Sequence, residues 1–165
     1  MLTAMETAPR PAALAWSTEN CQVERAMAVL GERATLLVLR EVFNGVRRFD
    51  DMRRHSGVSR QVLTDRLALL VGHGILRRVP YKDAGRRERH EYRLTGKGFD
   101  LYPVLVAVAA WGARYYAGPE GAAVEMAHRA CGAPVTATLT CGDGHQVAVE
   151  DVAPRPGPGA RPARP

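Results

Sequence analysis

Residues 47–94 read RRFDDMRRHSGVSRQVLTDRLALLVGHGILRRVPYKDAGRRERHEYRL. Phe49 to His55 predicts a short helix with Phe49 and Met52 on one face. Ser56-Gly57-Val58 is a turn, and Ser59 is an N-cap, because its hydroxyl accepts from an unpaired backbone N–H. From Arg60 to Val71, residues Leu63, Leu67, Leu70 and Val71 share one helical face, and Arg60, Gln61, Thr64 and Asp65 share the other. Gly72 and Gly74 stop that helix. Ile75–Tyr81 and His90–Leu94 alternate as paired strands do, and the loop Lys82–Arg89 between them holds Gly85 and a basic cluster. Helix, turn, helix and basic hairpin in this order outline a winged helix-turn-helix, whose second helix enters the major groove of DNA.

Working outward, Val23, Ala26, Met27 and Leu30 predict a short helix over Gln22–Leu30, ended by Gly31. Ala34–Phe43 is apolar nearly all round and predicts a buried helix, which Asn44-Gly45 stops. Behind the hairpin, Thr95 caps a helix expected from about Lys97 to Tyr116, bent near Pro103. The expected fold is mainly α with a small β-hairpin wing, a long C-terminal helix and a small appended element. The expected division is a loose arm over 1–17, the winged helix with its dimerisation helix over 18–118, an appended helix and hairpin over 119–153, and a disordered Pro/Gly/Arg tail over 154–165.

The formal charge is +6, and its placement says more than its size. Residues 40–97 hold 15 Lys+Arg against 7 Asp+Glu, a net of +8, and the rest of the chain has a net of −2. The excess therefore falls on the winged-helix segment, as the footprint of a polyanion-binding surface should. The apolar run Val104–Trp111 is far shorter than the ~20 residues of a membrane span. The first residues lack the apolar run of a signal peptide. Three cysteines do not make a disulfide framework, and a reducing cytoplasm is the expected location. There is no Gly-rich phosphate loop, no nucleophile elbow and no carboxylate pair with a reason to be perturbed, so an enzyme is not expected.

A recognition helix buries one face and leaves the other for the groove. Arg60 and Gln61 lie in its first turn, where Arg pairs with guanine and Gln with adenine. Ser59 and Thr64 adjoin them, and Thr64 can meet a thymine methyl or a phosphate. Arg47, Arg48, Arg53 and Arg54, with Lys82, Arg86, Arg87 and Arg89 of the wing, are expected to hold the DNA backbone or the adjacent minor groove. Any one of these arginines taken alone reads equally well as solvated charge. Arg66, nearer the core flank, fits a structural ion pair at least as well as a DNA contact.

Cys21-Gln22-Val23, ATLLVLREVFNGVRRFDDMRR (34–54), GVSRQVLTDRLALLVGHGIL (57–76), HEYRLTGKG (90–98) and PVLVAVAAWG (103–112) together resemble the HxlR-type winged-helix regulators. One departure is Glu32-Arg33-Ala34, where relatives carry an aromatic anchor. The resemblance implies a DNA-binding transcriptional regulator that works as a homodimer, with a repressor the commoner outcome. Double-stranded operator DNA and a second copy of the chain are then the expected partners, beside an inducer that the sequence does not identify. The apolar residues Leu101, Val104, Leu105, Val108, Trp111 and Tyr115 are the candidate dimer surface.

Two features leave further readings open. Cys21 stands at a helix N-terminus, where backbone N–H groups favour thiolate. Some relatives sense oxidants with a cysteine in this place, and the alternative is a small capping or packed residue. His128, Cys131, Cys141 and His145 give H-x-x-C followed by C-x-x-x-H, a donor set for zinc, although Gly144 stands where relatives with a Cys-x-x-Cys knuckle have the second cysteine. The alternative is a decayed knuckle with no metal. A redox- or metal-responsive regulator is thus a second reading, and a winged helix used for protein contact is a third.

Overall fold

The computed structural model describes residues 16–84 and 87–163. In chain order the elements are α1 (Gln22–Leu30), α2 (Arg33–Phe43), α3 (Phe49–Ser56), α4 (Arg60–Gly72), β1 (Leu76–Tyr81), β2 (Arg89–Leu94), α5 (Gly96–Phe99) and α6 (Tyr102–Tyr116), with a short 3-10 turn at Val149–Asp151. Residues 29–137 form one compact unit, and the described residues 16–28 and 138–163 group as another.

The core of the larger unit is built where the apolar spacing put it. Val38, Leu39 and Val42 of α2, Met52 of α3, and Leu63, Leu67 and Leu70 of α4 are buried together with Ile75 and Leu76 at the start of the hairpin. Fully burying side chains of this kind stabilises by roughly 1.5–3 kcal/mol each relative to exposure, which outweighs the weak helix propensity of the short α3. α3 ends at Gly57, whose φ of +66° closes the helix with a backbone bond from its N–H to Arg53 O. A side chain there would be strained, so this glycine sets the turn angle between α3 and α4.

β1 and β2 pair antiparallel from Leu76↔Leu94 to Tyr81↔Arg89. The chain before α3 joins their edge: Tyr92 N–H donates to Arg47 O at 2.9 Å, and Arg48 bridges Glu91. The base of the hairpin is fixed by Thr95. Its hydroxyl lies 2.6 Å from Gly74 O and accepts from Gly98 N–H, so one side chain caps α5 and ties it to the end of α4. Gly98 is required there, since a Cβ would meet Ile75 O at 2.3 Å.

Two expectations are corrected. The helix expected from Lys97 to Tyr116 is two helices, because Pro103 sits in the first turn of a new helix, where its missing N–H costs nothing, instead of bending an existing one. The appended segment was expected to open with a helix. Among the described residues, 119–148 form turns and isolated bridges such as Ala127↔Pro134 and Thr140↔Gln146. No residue of 119–153 is buried. In the other unit, Ser17 N–H donates to Arg161 O at 2.8 Å and Trp16 bridges Pro162.

Candidate nucleic-acid interface

The N-terminus of α4 is set by its cap: Ser59 Oγ accepts from Val62 N–H at 3.3 Å. The buried stripe Leu63, Leu67 and Leu70 fixes the helix rotation, so Arg60, Gln61 and Thr64 face solvent. Arg60 lies with its guanidinium 5.5 Å from the centre of the Phe49 ring, a cation–π contact that holds the charge beside α3. Gln61 Nε2 donates to Asp65 Oδ1 at 2.9 Å, and its amide oxygen meets no donor among the described residues. The Thr64 hydroxyl donates to Arg60 O at 2.9 Å.

A cleft of about 520 Å³ opens between this helix end and the hairpin, lined by Phe49, Asp50, Arg60, Arg78, Tyr81, Arg89, His90 and Tyr92. Arg78 is the residue that the sequence reading missed. The register Arg78↔Tyr92 puts it on the same sheet face as Tyr92, while its neighbour Arg77 pairs with Arg93 on the other face. Strict alternation through Arg77-Arg78 carried that signal, because two adjacent arginines in a strand must face opposite ways.

The remaining arginines fall into two groups. Arg48 lies 3.1 Å from Asp83 Oδ1 and 4.3 Å from the centre of the Tyr81 ring, so it braces the wing. Arg89 reaches Asp50 Oδ2 at 3.3 Å, joining the wing to α3, and Arg54 pairs with Asp51 within its own helix. Arg47, Arg53, Arg60, Lys82 and Arg87 have no ion pair among the described residues. Arg86 lies outside the described residues. Arg66 forms no ion pair among them either, and its Nε is enclosed without a partner, so of its two readings the structural ion pair is not found.

Cys21 is half-buried and stands directly before α1, with Arg25 N–H donating to its carbonyl oxygen at 3.1 Å. In the appended segment His128 Nδ1 is 3.1 Å from Cys131 Sγ, and in the other unit Cys141 Sγ is 3.6 Å from His145 Nδ1. Backbone N–H groups, that of Asp143 first and that of His145 next, hold the Cys141 thiol below its ordinary value. On α6, Val104, Val108, Trp111 and Tyr115 are exposed, and only Val106 is buried. Leu101 and Leu105 are half-buried. No helix among the described residues is long and apolar enough to cross a membrane.

A capped, polar-faced second helix held against a shorter first helix, with an arginine-lined wing beside it, defines a winged helix-turn-helix of the DNA-binding kind. The profile of the HxlR-like helix-turn-helix family matches residues 29–119, and the chain belongs to that family. It is 44% identical over 142 residues to the HTH-type transcriptional regulator Rv3095 of Mycobacterium tuberculosis, covering 86% of this chain and 89% of that one. The crystal structure of PA1607, a proposed transcription factor, superposes with a TM-score of 0.72 at 36% identity, covering 83% of this chain and 95% of that one. The redox regulator HypR in its oxidised form matches with a TM-score of 0.53 at 25% identity, over 59% of this chain and all of that one. The chain is a transcriptional regulator with a helix-turn-helix DNA-binding domain, and its relatives are regulators and not enzymes.

Proposed function

We propose that the chain is a repressor that binds a palindromic operator as a homodimer, with α4 in the major groove and the β1–β2 wing on the flanking backbone. The observation that carries this reading is the cleft in which Arg60, Arg78 and Arg89 converge at the capped end of α4. Arg60 and Gln61 are the base-reading pair, with Thr64 beside them. Arg47, Arg53, Lys82, Arg86 and Arg87 contact phosphates, and Ser59 serves chiefly to hold the helix end. Arg48, Arg54 and Arg89 act first through their acidic partners and so position the surface more than they bind DNA.

The dimer reading is supported by α6. A 15-residue helix with one buried residue and with Val104, Val108, Trp111 and Tyr115 exposed presents apolar area that a single copy leaves in water. Two recognition helices related by a two-fold axis read half-sites one helical turn apart, about 10 bp centre to centre. Selection of bound duplexes from a random pool tests the reading. It should enrich an inverted repeat with that spacing. Enrichment of an isolated half-site would overturn the homodimeric palindrome, and no enrichment would overturn sequence-specific binding.

Cys21 supports a second reading, in which oxidation or alkylation switches the regulator. It rests on the position of the thiol before α1 and on the likeness to HypR, itself a redox regulator. Iodoacetamide-treated protein that still binds its operator unchanged would exclude it.

A further inference from the structure

The larger unit holds a second cleft, of about 1030 Å³, between the end of α2, the β1–β2 hairpin, the start of α6 and residues 126–135. It is separate from the cleft beside α4. The register puts Arg77 and Arg93 on the sheet face opposite Arg78 and Tyr92, and Arg77 and Arg93 line this one. Its volume stands at the upper end of the range usual for small-molecule sites, about 300–1,000 Å³.

The charge of this cleft is one-sided. Arg47, Arg77, Arg93 and Arg129 line it, and no Asp or Glu does among the described residues. Arg77 and Arg93 stand directly opposite each other in the ladder, an arrangement in which like charges destabilise a sheet. Glu91 accepts from Arg93 Nε–H, so the two terminal nitrogens of Arg93 stay available. Arg47, Arg77 and Arg129 have no ion pair among the described residues. An anion held between these guanidiniums offsets their repulsion, and the planar fork of an arginine matches a carboxylate.

The remaining wall is apolar and aromatic. Phe43 and Tyr102 meet with ring centres 4.8 Å apart, and Leu94, Phe99 and Met126 lie around them. Phe99 is 62% exposed, so this wall has free ring surface. At about 100° per residue, Tyr102 falls on the side of α6 that carries the buried Val106, away from Val104, Val108, Trp111 and Tyr115. The α6 surface assigned above to a second copy is therefore a different one. A bare inorganic anion would use the arginines and leave the rings in water. A neutral aromatic would cover the rings and leave the guanidiniums repelling one another. Only a molecule with both parts satisfies both walls.

We propose that this cleft binds a small aromatic carboxylate, with its acid group between Arg77, Arg93 and Arg129 and its ring against Phe99 and Tyr102. Arg47, assigned above to a DNA phosphate, lines the same cleft. The ligand and the duplex then draw on one guanidinium, and this regulatory part rests on the DNA-binding reading.

Calorimetric titration of the full chain with naphthoate, in the absence of DNA, tests the site. Saturable binding of one molecule per chain is expected. Naphthylmethanol, which keeps the ring and lacks the charge, should bind about ten-fold more weakly or worse, the loss of a charge-assisted hydrogen bond. Inorganic phosphate should not displace naphthoate. These comparisons use the unaltered protein, so misfolding of a variant cannot mask the answer. Arg77→Gln and Phe99→Ala change exposed side chains and should each weaken naphthoate binding several-fold. Arg114→Gln, beside Tyr115 on α6, should leave it unchanged. No saturable binding, equal binding of the uncharged analogue, displacement by phosphate, or full affinity in both cleft variants overturns the proposal. Saturating naphthoate should also weaken binding of the promoter duplex several-fold. Unchanged duplex affinity beside saturable naphthoate binding overturns the competition for Arg47. A chain that binds naphthoate and no duplex overturns the DNA-binding reading and not the site.

Discussion

The guanidinium of Arg60, in the first turn of α4, rests over the ring of Phe49, the first residue of α3, with its carbon 5.5 Å from the ring centre. The contact crosses the helix-turn-helix at its open end. It restricts a long, exposed side chain before any DNA arrives, so less rotamer freedom is lost on binding. Arg60→Ala should weaken binding to the operator by about 1–3 kcal/mol and relax the preference at one base pair. Titrations against the operator and against a scrambled duplex separate the possibilities. An equal loss on both makes Arg60 a phosphate contact and removes it from base reading.

Arg53 and Arg48 are predicted to differ although both lie at the α3 end of the surface. Arg53 has no ion pair among the described residues, whereas Arg48 is already held by Asp83 and Tyr81. A side chain that neutralises one phosphate contributes about 0.9 to the slope of log K against log salt. Arg53→Ala should lower that slope by about one. Arg48→Ala should change it less and instead loosen the wing, which hydrogen exchange at Tyr81 and Glu91 would register. Equal slope changes in the two variants would refute the distinction.

Glu41 is a buried carboxylate, its side chain 4% exposed, that meets Arg40 Nε at 3.0 Å and His55 Nδ1 at 3.3 Å. It links α2 to the last turn of α3 and thereby holds the first helix of the reading element in place. Glu41→Gln keeps the volume and loses the charge-assisted bonds, so it should cost roughly 1.5–3 kcal/mol. Urea unfolding measures this as a lower midpoint at an unchanged slope. A midpoint equal to that of the wild type would mean the pair contributes nothing net.

The exposed apolar side of α6 yields a prediction about assembly. Trp111 is 57% exposed and meets the Tyr116 ring at a tilt of 51°, with ring centres 5.0 Å apart. Trp111→Asp should convert the proposed dimer to monomers in sedimentation at micromolar concentration and leave the helical circular dichroism in place. A variant that sediments as a dimer would move the interface away from this helix.

Much of this surface was legible in the sequence because local rules and burial agree there. The Leu63, Leu67 and Leu70 stripe fixed which side of α4 faces outward, and Ser59 and Gly57 marked the turn. Arg78 escaped because Arg77 and Arg78 are alike in sequence, and only the register Arg78↔Tyr92 tells which of them lines the cleft. The acid partners of Arg48 and Arg89 lie 35 and 39 residues away, beyond any local pattern. The break between α5 and α6 escaped because apolar spacing continues across it, and only the position of Pro103 within the new first turn distinguishes a start from a bend. The helix expected after residue 120 did not form because that segment has nothing to bury a helical face against.

Binding of the full chain to a duplex from its own promoter region, measured at 50 and 200 mM salt, tests the DNA-binding account most directly. A surface that engages six or more phosphates predicts tight binding at the lower salt and a loss of about 10³-fold or more at the higher. Binding that is absent at both, or that does not change between them, would contradict it.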